Sequence, residues 1–248
     1  MTTRANAIIE KLPTWGAISD PRDVPGYSIA DAAHYLRMPA ATVRSWALGR
    51  PYDVAKGTRR WQALIEPAQA EPPPPLLSFL NLVELHVLRA MRRNHELKVP
   101  VIRSALEYVT QRLGVQRPLV HVEFQTDGVH LFVERLGALV SVSQGGQRTL
   151  EGVLKDHLAR IERDERGLAQ RLFPFVRDPS RLDDPMNVMI DPRFAFGRPA
   201  LRESGITTRA ILERWMAGES PAELARDYGR TVAEIDDAVR AEYRPIAA

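Results

Sequence analysis

Residues 27–49, YSIADAAHYLRMPAATVRSWALG, decide the fold of the N-terminal part of the chain. They predict two short amphipathic helices joined by a tight turn at Pro39. Ser28 is a good N-cap for the first helix. Val43 and Trp46 lie three positions apart on the second helix, where both can anchor it inward. Small residues inside, a sharp turn and polar groups outside are typical of a helix-turn-helix.

The next stretch, GRPYDVAKGTRRWQALIEP, extends this unit. It predicts a hairpin that turns at Gly57 and carries basic side chains interleaved with aromatic ones. Early residues of a recognition helix point at base edges, and a basic wing beside it grips phosphates. We therefore expect double-stranded DNA as a partner, with Arg44 suited to a base or a phosphate. The candidate DNA-binding residues are Ala41, Thr42, Arg44, Ser45, Arg50, Tyr52, Lys56, Arg59 and Arg60.

The distribution of charge favours the same end of the chain. The 248 residues carry a net charge of only +3, but residues 25–66 and residues 76–115 each hold six basic and three acidic side chains. Residues 190–248 hold nine arginines and ten carboxylates. The phosphate backbone of a nucleic acid would therefore bind to the N-terminal half of the chain. Because the last predicted helix, TVAEIDDAVRAEY, is rich in carboxylates, we expect the C-terminal part to mediate dimerisation or to contact a protein.

The whole chain predicts an α+β fold that is mainly α, in three domains. AQAEPPPP at 68–75 predicts a stiff extended spacer, and clustered prolines and aspartates mark a second boundary. Residues 1–75 would hold the winged helix-turn-helix and its linker. Residues 76–182 would hold helices and a small antiparallel sheet. Residues 183–248 would hold a β-hairpin and a three-helix unit that resembles a helix-turn-helix.

Within the last two domains the elements are predicted from periodicity and turn residues. Helices are expected over about 79–93 and 99–113. PLVHVEF, HLFVER and LVSVSQ predict three strands, and TLEGVLKDHLARIERDERG predicts a charged helix. NVMID and RFAFG predict the C-terminal hairpin, with Phe194 and Phe196 in the core.

No pattern of residues indicates catalysis. The absence of cysteine excludes disulfides and thiolate chemistry. The six histidines never take a metal-ligand spacing. No apolar run approaches the roughly 20 residues of a membrane span, and the N-terminus lacks the apolar run of a signal peptide. We expect a cytoplasmic protein that is not an enzyme and uses no metal, cofactor or membrane.

Two segments are similar to known families. Residues 27–49 resemble the helix-turn-helix of MerR-type regulators, in which a turn is followed by Thr-Val/Leu-Arg-x-Trp/Tyr. The C-terminal part resembles a small helical domain of unknown function common in bacterial antitoxins, through FGRP at 196–199 and AGES at 217–220. Joined by SFLNLVELHVLRAMR, the two modules resemble long VapB-type antitoxins, whose partner is a PIN-domain ribonuclease toxin.

The resemblance implies an antitoxin of a type II pair, which neutralises a PIN-like ribonuclease and represses its own operon. We expect it to act as a homodimer on an inverted repeat. An arginine inserted among the metal-binding carboxylates of the toxin would exclude the metal. The candidates for this contact are Arg193, Arg198, Arg202 and Arg244. The alternative for each is a solvated arginine or an ion pair within the chain.

A second function stays open from the sequence, a MerR-like regulator that responds to a small ligand through its middle segment. The chain has neither the long dimerisation helix that follows the wing in MerR proteins nor a cysteine metal loop. These departures disfavour effector sensing.

Overall fold

A computed structural model of the chain describes residues 20–54, 57–93, 97–140, 144–178 and 184–243. Within these residues the fold is mainly helical with three two-stranded antiparallel sheets, which confirms the predicted class. The helices are α1 (Ile29–Tyr35), α2 (Ala40–Leu48), α3 (Phe79–Arg93), α4 (Val99–Leu113), α5 (Val129–Leu139), α6 (Gln144–Leu158), α7 (Thr208–Met216), α8 (Pro221–Tyr228) and α9 (Val232–Glu242). The strands are β1 (Arg50–Val54), β2 (Gly57–Trp61), β3 (Ile161–Arg163), β4 (Ala169–Leu172), β5 (Val188–Met189) and β6 (Ala200–Leu201).

The N-terminal helix pair begins at a capping box. The Ser28 hydroxyl accepts a hydrogen bond from the Asp31 backbone N–H at 3.1 Å, and the Asp31 carboxylate accepts one from the Ser28 N–H at 2.9 Å. Both N–H groups are thereby satisfied at the start of α1. The chain turns at Arg37, whose φ is +50°. Val43 and Trp46 are buried on the inward face of α2.

Helix α3 supports this pair from behind. Every residue from Leu77 to Leu88 is buried, so the first turns of α3 have no solvent-facing stripe. Arg89 donates a hydrogen bond to the carbonyl of Leu36 at the end of α1. One hydrophobic core therefore extends from α1 and α2 through α3 to α6.

The proline-rich segment is a closed loop. Gln69 and Leu76 exchange backbone hydrogen bonds of 3.0 and 2.8 Å, and Leu77 pairs with Tyr27 of the segment before α1. The extended spacer predicted at 68–75 is wrong, because backbone pairing fixes both ends of the segment.

Apart from an isolated β-bridge between His121 and Leu168, the strands predicted in residues 118–144 are wrong wherever the structure describes them. A 3₁₀ turn at Pro118–Val120 leads to a π-helical turn at Phe124–Gly128, which continues into α5. Residues 141–143 lie outside the described residues. The side chains buried here recur at helical spacing, at Phe124, Val129, Phe132, Val133 and Leu136. Burial at helical spacing overrides the local preference of β-branched residues for strands.

The small sheet of the middle part lies further along the chain. The charged helix predicted over 149–167 ends early, because α6 stops at Leu158 and β3 then pairs with β4. The buried Arg160 precedes this sheet. Its guanidinium donates to the carbonyls of Phe173 at 2.8 Å and Phe175 at 2.6 Å, which fixes the segment that leads to the C-terminal part.

The C-terminal part has its own hydrophobic cluster, formed largely by α7, α8 and α9. The predicted three-helix unit is present, and Thr207, Ser220 and Thr231 cap its helices. The predicted NVMID–RFAFG hairpin is wrong in its second half, since β5 pairs with β6 and residues 195–197 form a tight turn between them. Phe196, predicted in the core, is 98% exposed, and Phe194 is also exposed.

Candidate nucleic-acid interface

The outer side of α2 carries four of the residues predicted to contact DNA. Ala41 and Arg44 are exposed, and Thr42 and Ser45 are half-buried. The other side of the helix is sealed against the hydrophobic core. These four side chains are therefore left on the accessible side, which is what base readout by α2 requires.

Strands β1 and β2 form the predicted hairpin, here called the wing, with Arg50 opposite Trp61. Gly49 connects it to α2 with a φ of +72°, and a Cβ at this position would lie 2.2 Å from the Trp61 carbonyl oxygen. Only glycine permits this approach. The rings of Tyr52 and Trp61 pack with their centroids 5.0 Å apart. The base of the wing is thus fixed beside the end of α2.

The structure describes only part of the predicted basic surface of the wing. Arg50 is exposed and Tyr52 is half-buried. Lys56 lies outside the described residues. The side chains of Arg59 and Arg60 also lie outside them, although the backbone of both belongs to β2.

A cleft of about 660 Å³ opens between α2, the wing and the start of α4. Ala41, Thr42 and Ser45 line its α2 side. Three cationic side chains line it as well, and among the described residues no aspartate or glutamate does so. These cations are Arg50, Arg92 and Lys98. The predicted readout residues and a cluster of positive charge thus border the same opening, which we call the basic cleft.

Sequence reasoning missed Arg92 and Lys98. The only signal was the positive charge of residues 76–115, which carries no information about position. The two residues reach the basic cleft because α3 ends and α4 begins beside α2. The Arg92 guanidinium lies 6.0 Å from the centre of the Trp46 ring. Lys98 precedes α4 without a side-chain cap bond, so its ammonium group has no part in starting the helix.

The C-terminal part contacts the N-terminal helix pair through polar groups. The Glu242 carboxylate accepts a hydrogen bond from the Thr208 hydroxyl at 2.6 Å and lies 3.2 Å from Nε2 of His34 in α1. Burial raises the pKa of Glu242, but hydrogen bonds from His34 and Thr208 outweigh it and hold the pKa below its ordinary value. The Tyr27 hydroxyl donates to the Gly197 carbonyl at 2.9 Å. Helix α1 is therefore tied to both ends of the C-terminal part.

The arginines considered for toxin contact differ in their surroundings. Arg193 and Arg202 pair with carboxylates of the chain at 2.7 and 2.8 Å. Arg198 is exposed, and its side chain makes no ion pair within the ranges that the structure describes. Arg244 lies outside the described residues. The structure thus gives the first two an internal role.

The carboxylates of α9 also have structural roles. Glu234 completes the capping box of the helix with Thr231. Asp237 is buried and accepts hydrogen bonds from Arg177 at 2.6 and 2.9 Å. Together with Glu242, they are held within the fold.

The part of the chain that the structure describes contains no group of three or more histidine or acidic side chains placed to hold a metal ion. None of its helices is long and apolar enough to cross a membrane.

Comparison with known proteins covers nearly the whole chain. Residues 188–240 match the family described as "Protein of unknown function (DUF433)". The curated protein "Putative antitoxin VapB45" of Mycobacterium tuberculosis (strain ATCC 25618 / H37Rv) is 30% identical over 239 residues, which is 88% of this chain and 94% of that protein. The crystal structure of Rv2018 from Mycobacterium tuberculosis shares the fold, with a TM-score of 0.63 and 23% identity over 87% of this chain and 98% of that one. The chain belongs to the family of VapB-type antitoxins to which VapB45 is assigned.

Proposed function

We propose that this protein is an antitoxin that represses its own operon by binding operator DNA and neutralises a partner toxin by binding it directly. The basic cleft carries the DNA-binding part of the proposal. Its three cations lie beside the exposed face of α2, with no carboxylate of the described residues among them. A duplex that enters from this side meets readout residues and phosphate ligands together.

In the proposed complex with operator DNA, helix α2, the basic cleft and the wing each have a distinct role. Helix α2 enters the major groove, where Thr42 and Ser45 contact base edges and Ala41 permits close approach or contacts a thymine methyl group. Arg44 binds a base or a phosphate. The cations of the basic cleft and the wing bind phosphates and give affinity without sequence preference. Two copies on an inverted repeat multiply the affinity of one small module.

The toxin-binding part rests on family membership. Its relative VapB45 is named as an antitoxin, and the resemblance stated above implies a PIN-like ribonuclease as the partner. The experiment is to co-express the product of the neighbouring reading frame with and without this chain. We expect that product to stop growth alone and the chain to restore it. Growth arrest that the chain does not relieve would refute an antitoxin role.

The DNA-binding part is tested by salt dependence. Because phosphate contacts release counterions, raising the salt from about 50 to 200 mM should weaken operator binding about 10³-fold if about six phosphates are contacted. Lys98→Ala should weaken binding to all sequences alike and reduce the slope of log K against log salt by about 1. Fluorescence anisotropy with operator and unrelated duplexes measures both.

Arg148→Ala is the matched control, because Arg148 is exposed on α6 and does not line the basic cleft. It should leave affinity and slope unchanged. A salt-independent affinity, or an equal loss in the two variants, would contradict binding through the basic cleft.

A further inference from the structure

The turn at 195–197 has an unusual backbone. Ala195, Phe196 and Gly197 follow one another with φ of +49°, +55° and +72°. Residues with a Cβ avoid this left-handed region, and a bulky aromatic residue is an outlier there. The Phe196 ring is 98% exposed, so packing within the chain does not offset its conformation.

The surrounding structure holds the turn in place. The buried Asp191 carboxylate accepts hydrogen bonds from the Arg193 backbone N–H at 2.9 Å and from Arg171 at 3.0 Å. On the far side, the Gly197 carbonyl accepts the 2.9 Å bond from the buried Tyr27 hydroxyl. Because both ends are fixed to buried groups, the backbone of the turn is held in place, and Phe196 leaves it in a fixed direction. Strained backbone kept by its surroundings often marks a functional contact.

We propose that Phe196 is the central anchor of the surface that binds the protein partner, where the ring enters an apolar pocket. An aromatic side chain on a backbone that is already fixed has only two torsions left to order on binding, and aromatic residues often dominate interface energies. The proposal rests on the antitoxin function for the existence of a partner, and it assigns the contact to a residue that sequence reasoning placed in the core.

The charge around the ring defines the chemistry of that pocket. Arg198, two residues on, is exposed and makes no ion pair with any residue that the structure describes. The nearby carboxylates already accept hydrogen bonds within the chain, Asp31 from Ser28, Asp191 from Arg193 and Glu242 from Thr208. The free charge beside Phe196 is therefore positive, and it fits a pocket rimmed by carboxylates. A second copy of this chain would bring Arg198 side chains together, and duplex DNA has no apolar pocket on its surface.

The test uses the full chain and an inactive form of the neighbouring reading frame's product, with binding measured by calorimetry. Phe196→Asn is the main variant, because Asn tolerates a positive φ and so keeps the turn while it removes the ring. We expect it to weaken binding by about 30-fold or more, as for an interface anchor. Phe196→Leu should recover part of the loss. Arg198→Glu should weaken binding about 10-fold, more at low salt than at high salt.

Met216→Asn is the matched control, since Met216 is apolar and 71% exposed on α7. It should change affinity less than about threefold. The thermal stability of Phe196→Asn should equal or slightly exceed that of the unaltered chain, because Asn tolerates the positive φ, and its operator binding should be unchanged.

Three outcomes overturn the proposal. If the unaltered chain binds the product and Phe196→Asn binds as well, Phe196 is not the anchor, although the antitoxin function stands. If Phe196→Asn instead loses self-association or operator binding, the ring serves a second copy or DNA. If the unaltered chain does not bind the product, the toxin contact and its anchor fail together.

Discussion

At the scale of single residues, Gly197 shows how closely the C-terminal part packs against the segment before α1. A Cβ at this position would lie 2.1 Å from the Tyr27 hydroxyl oxygen. Gly205 has a similar φ of +69°, but a Cβ there would meet no atom within 4 Å. Replacing Gly205 with alanine therefore tests the strain of a positive φ alone. Replacing Gly197 with alanine tests the same strain together with a steric clash.

We expect Gly205→Ala to lower the free energy of unfolding by about 1–2 kcal/mol, which is the strain of a left-handed alanine. Gly197→Ala should cost about 2–4 kcal/mol, since it adds the loss of the Tyr27 hydrogen bond. Urea denaturation of the two variants measures the difference. Equal losses would mean that Tyr27 moves aside without cost.

The residues of the candidate site were predictable only in part. The exposure of Ala41 and Arg44 follows from the helical period of α2, which the sequence carries. The positions of Arg92 and Lys98 depend on how α3 crosses behind α2, and no local pattern encodes that crossing. Phe196 was misplaced because Phe194 and Phe196 alternate as strand residues do, whereas hydrogen bonds from buried groups bend this segment into a turn.

At the scale of elements, capped helices were the most predictable. Ser28, Ser220 and Thr231 each start a helix with a capping box, and this signal is complete within four residues. The prediction of strands at 118–144 was wrong because the alternation of a strand and the spacing of a helix cannot be told apart in short apolar runs. Contacts of α5 with α4 and α6 decide the outcome there, and these contacts are remote in sequence.

The cap of α1 gives a prediction at this scale. Ser28→Ala should lower the free energy of unfolding by about 1 kcal/mol, because the Asp31 N–H loses its side-chain acceptor. Ser28→Asp should retain most of the stability, since Asp also caps well. Thermal unfolding measures both. Operator affinity well below the unfolding temperature should be unchanged, and a selective loss of affinity would instead make Ser28 a DNA contact.

At the scale of the whole molecule, Glu242 joins α9 to α1 and α7. Its pKa is held below the ordinary value of 4.5, so its ionised form stabilises the folded state. The stabilisation is fully present above that ordinary value and is lost as the pH falls through the lower folded-state pKa. Acid should therefore weaken the connection between the C-terminal part and the helix pair.

We expect Glu242→Gln to lower the free energy of unfolding by about 1–2 kcal/mol at pH 7. The difference between the variant and the unaltered chain should shrink as the pH falls below 4.5 and through the lower folded-state pKa of Glu242, because its carboxyl group then becomes neutral, as the Gln side chain is at every pH. Chemical denaturation across this pH range measures it. If the difference in the free energy of unfolding does not depend on pH, packing and neutral hydrogen bonds, not the charge of Glu242, stabilise its contact with His34 and Thr208.

The burial of the first turns of α3 on all sides limits how the proposed DNA-binding unit can be reused. Residues 20–66 do not bury their apolar side chains by themselves, because Leu36 and Trp46 belong to a hydrophobic core that they share with α3. If the helix pair and the wing were grafted alone onto another protein, the apolar side chains that α3 now covers would be exposed to water. Altered operator specificity is therefore better engineered in place, at Thr42 and Ser45, than by transplanting the unit.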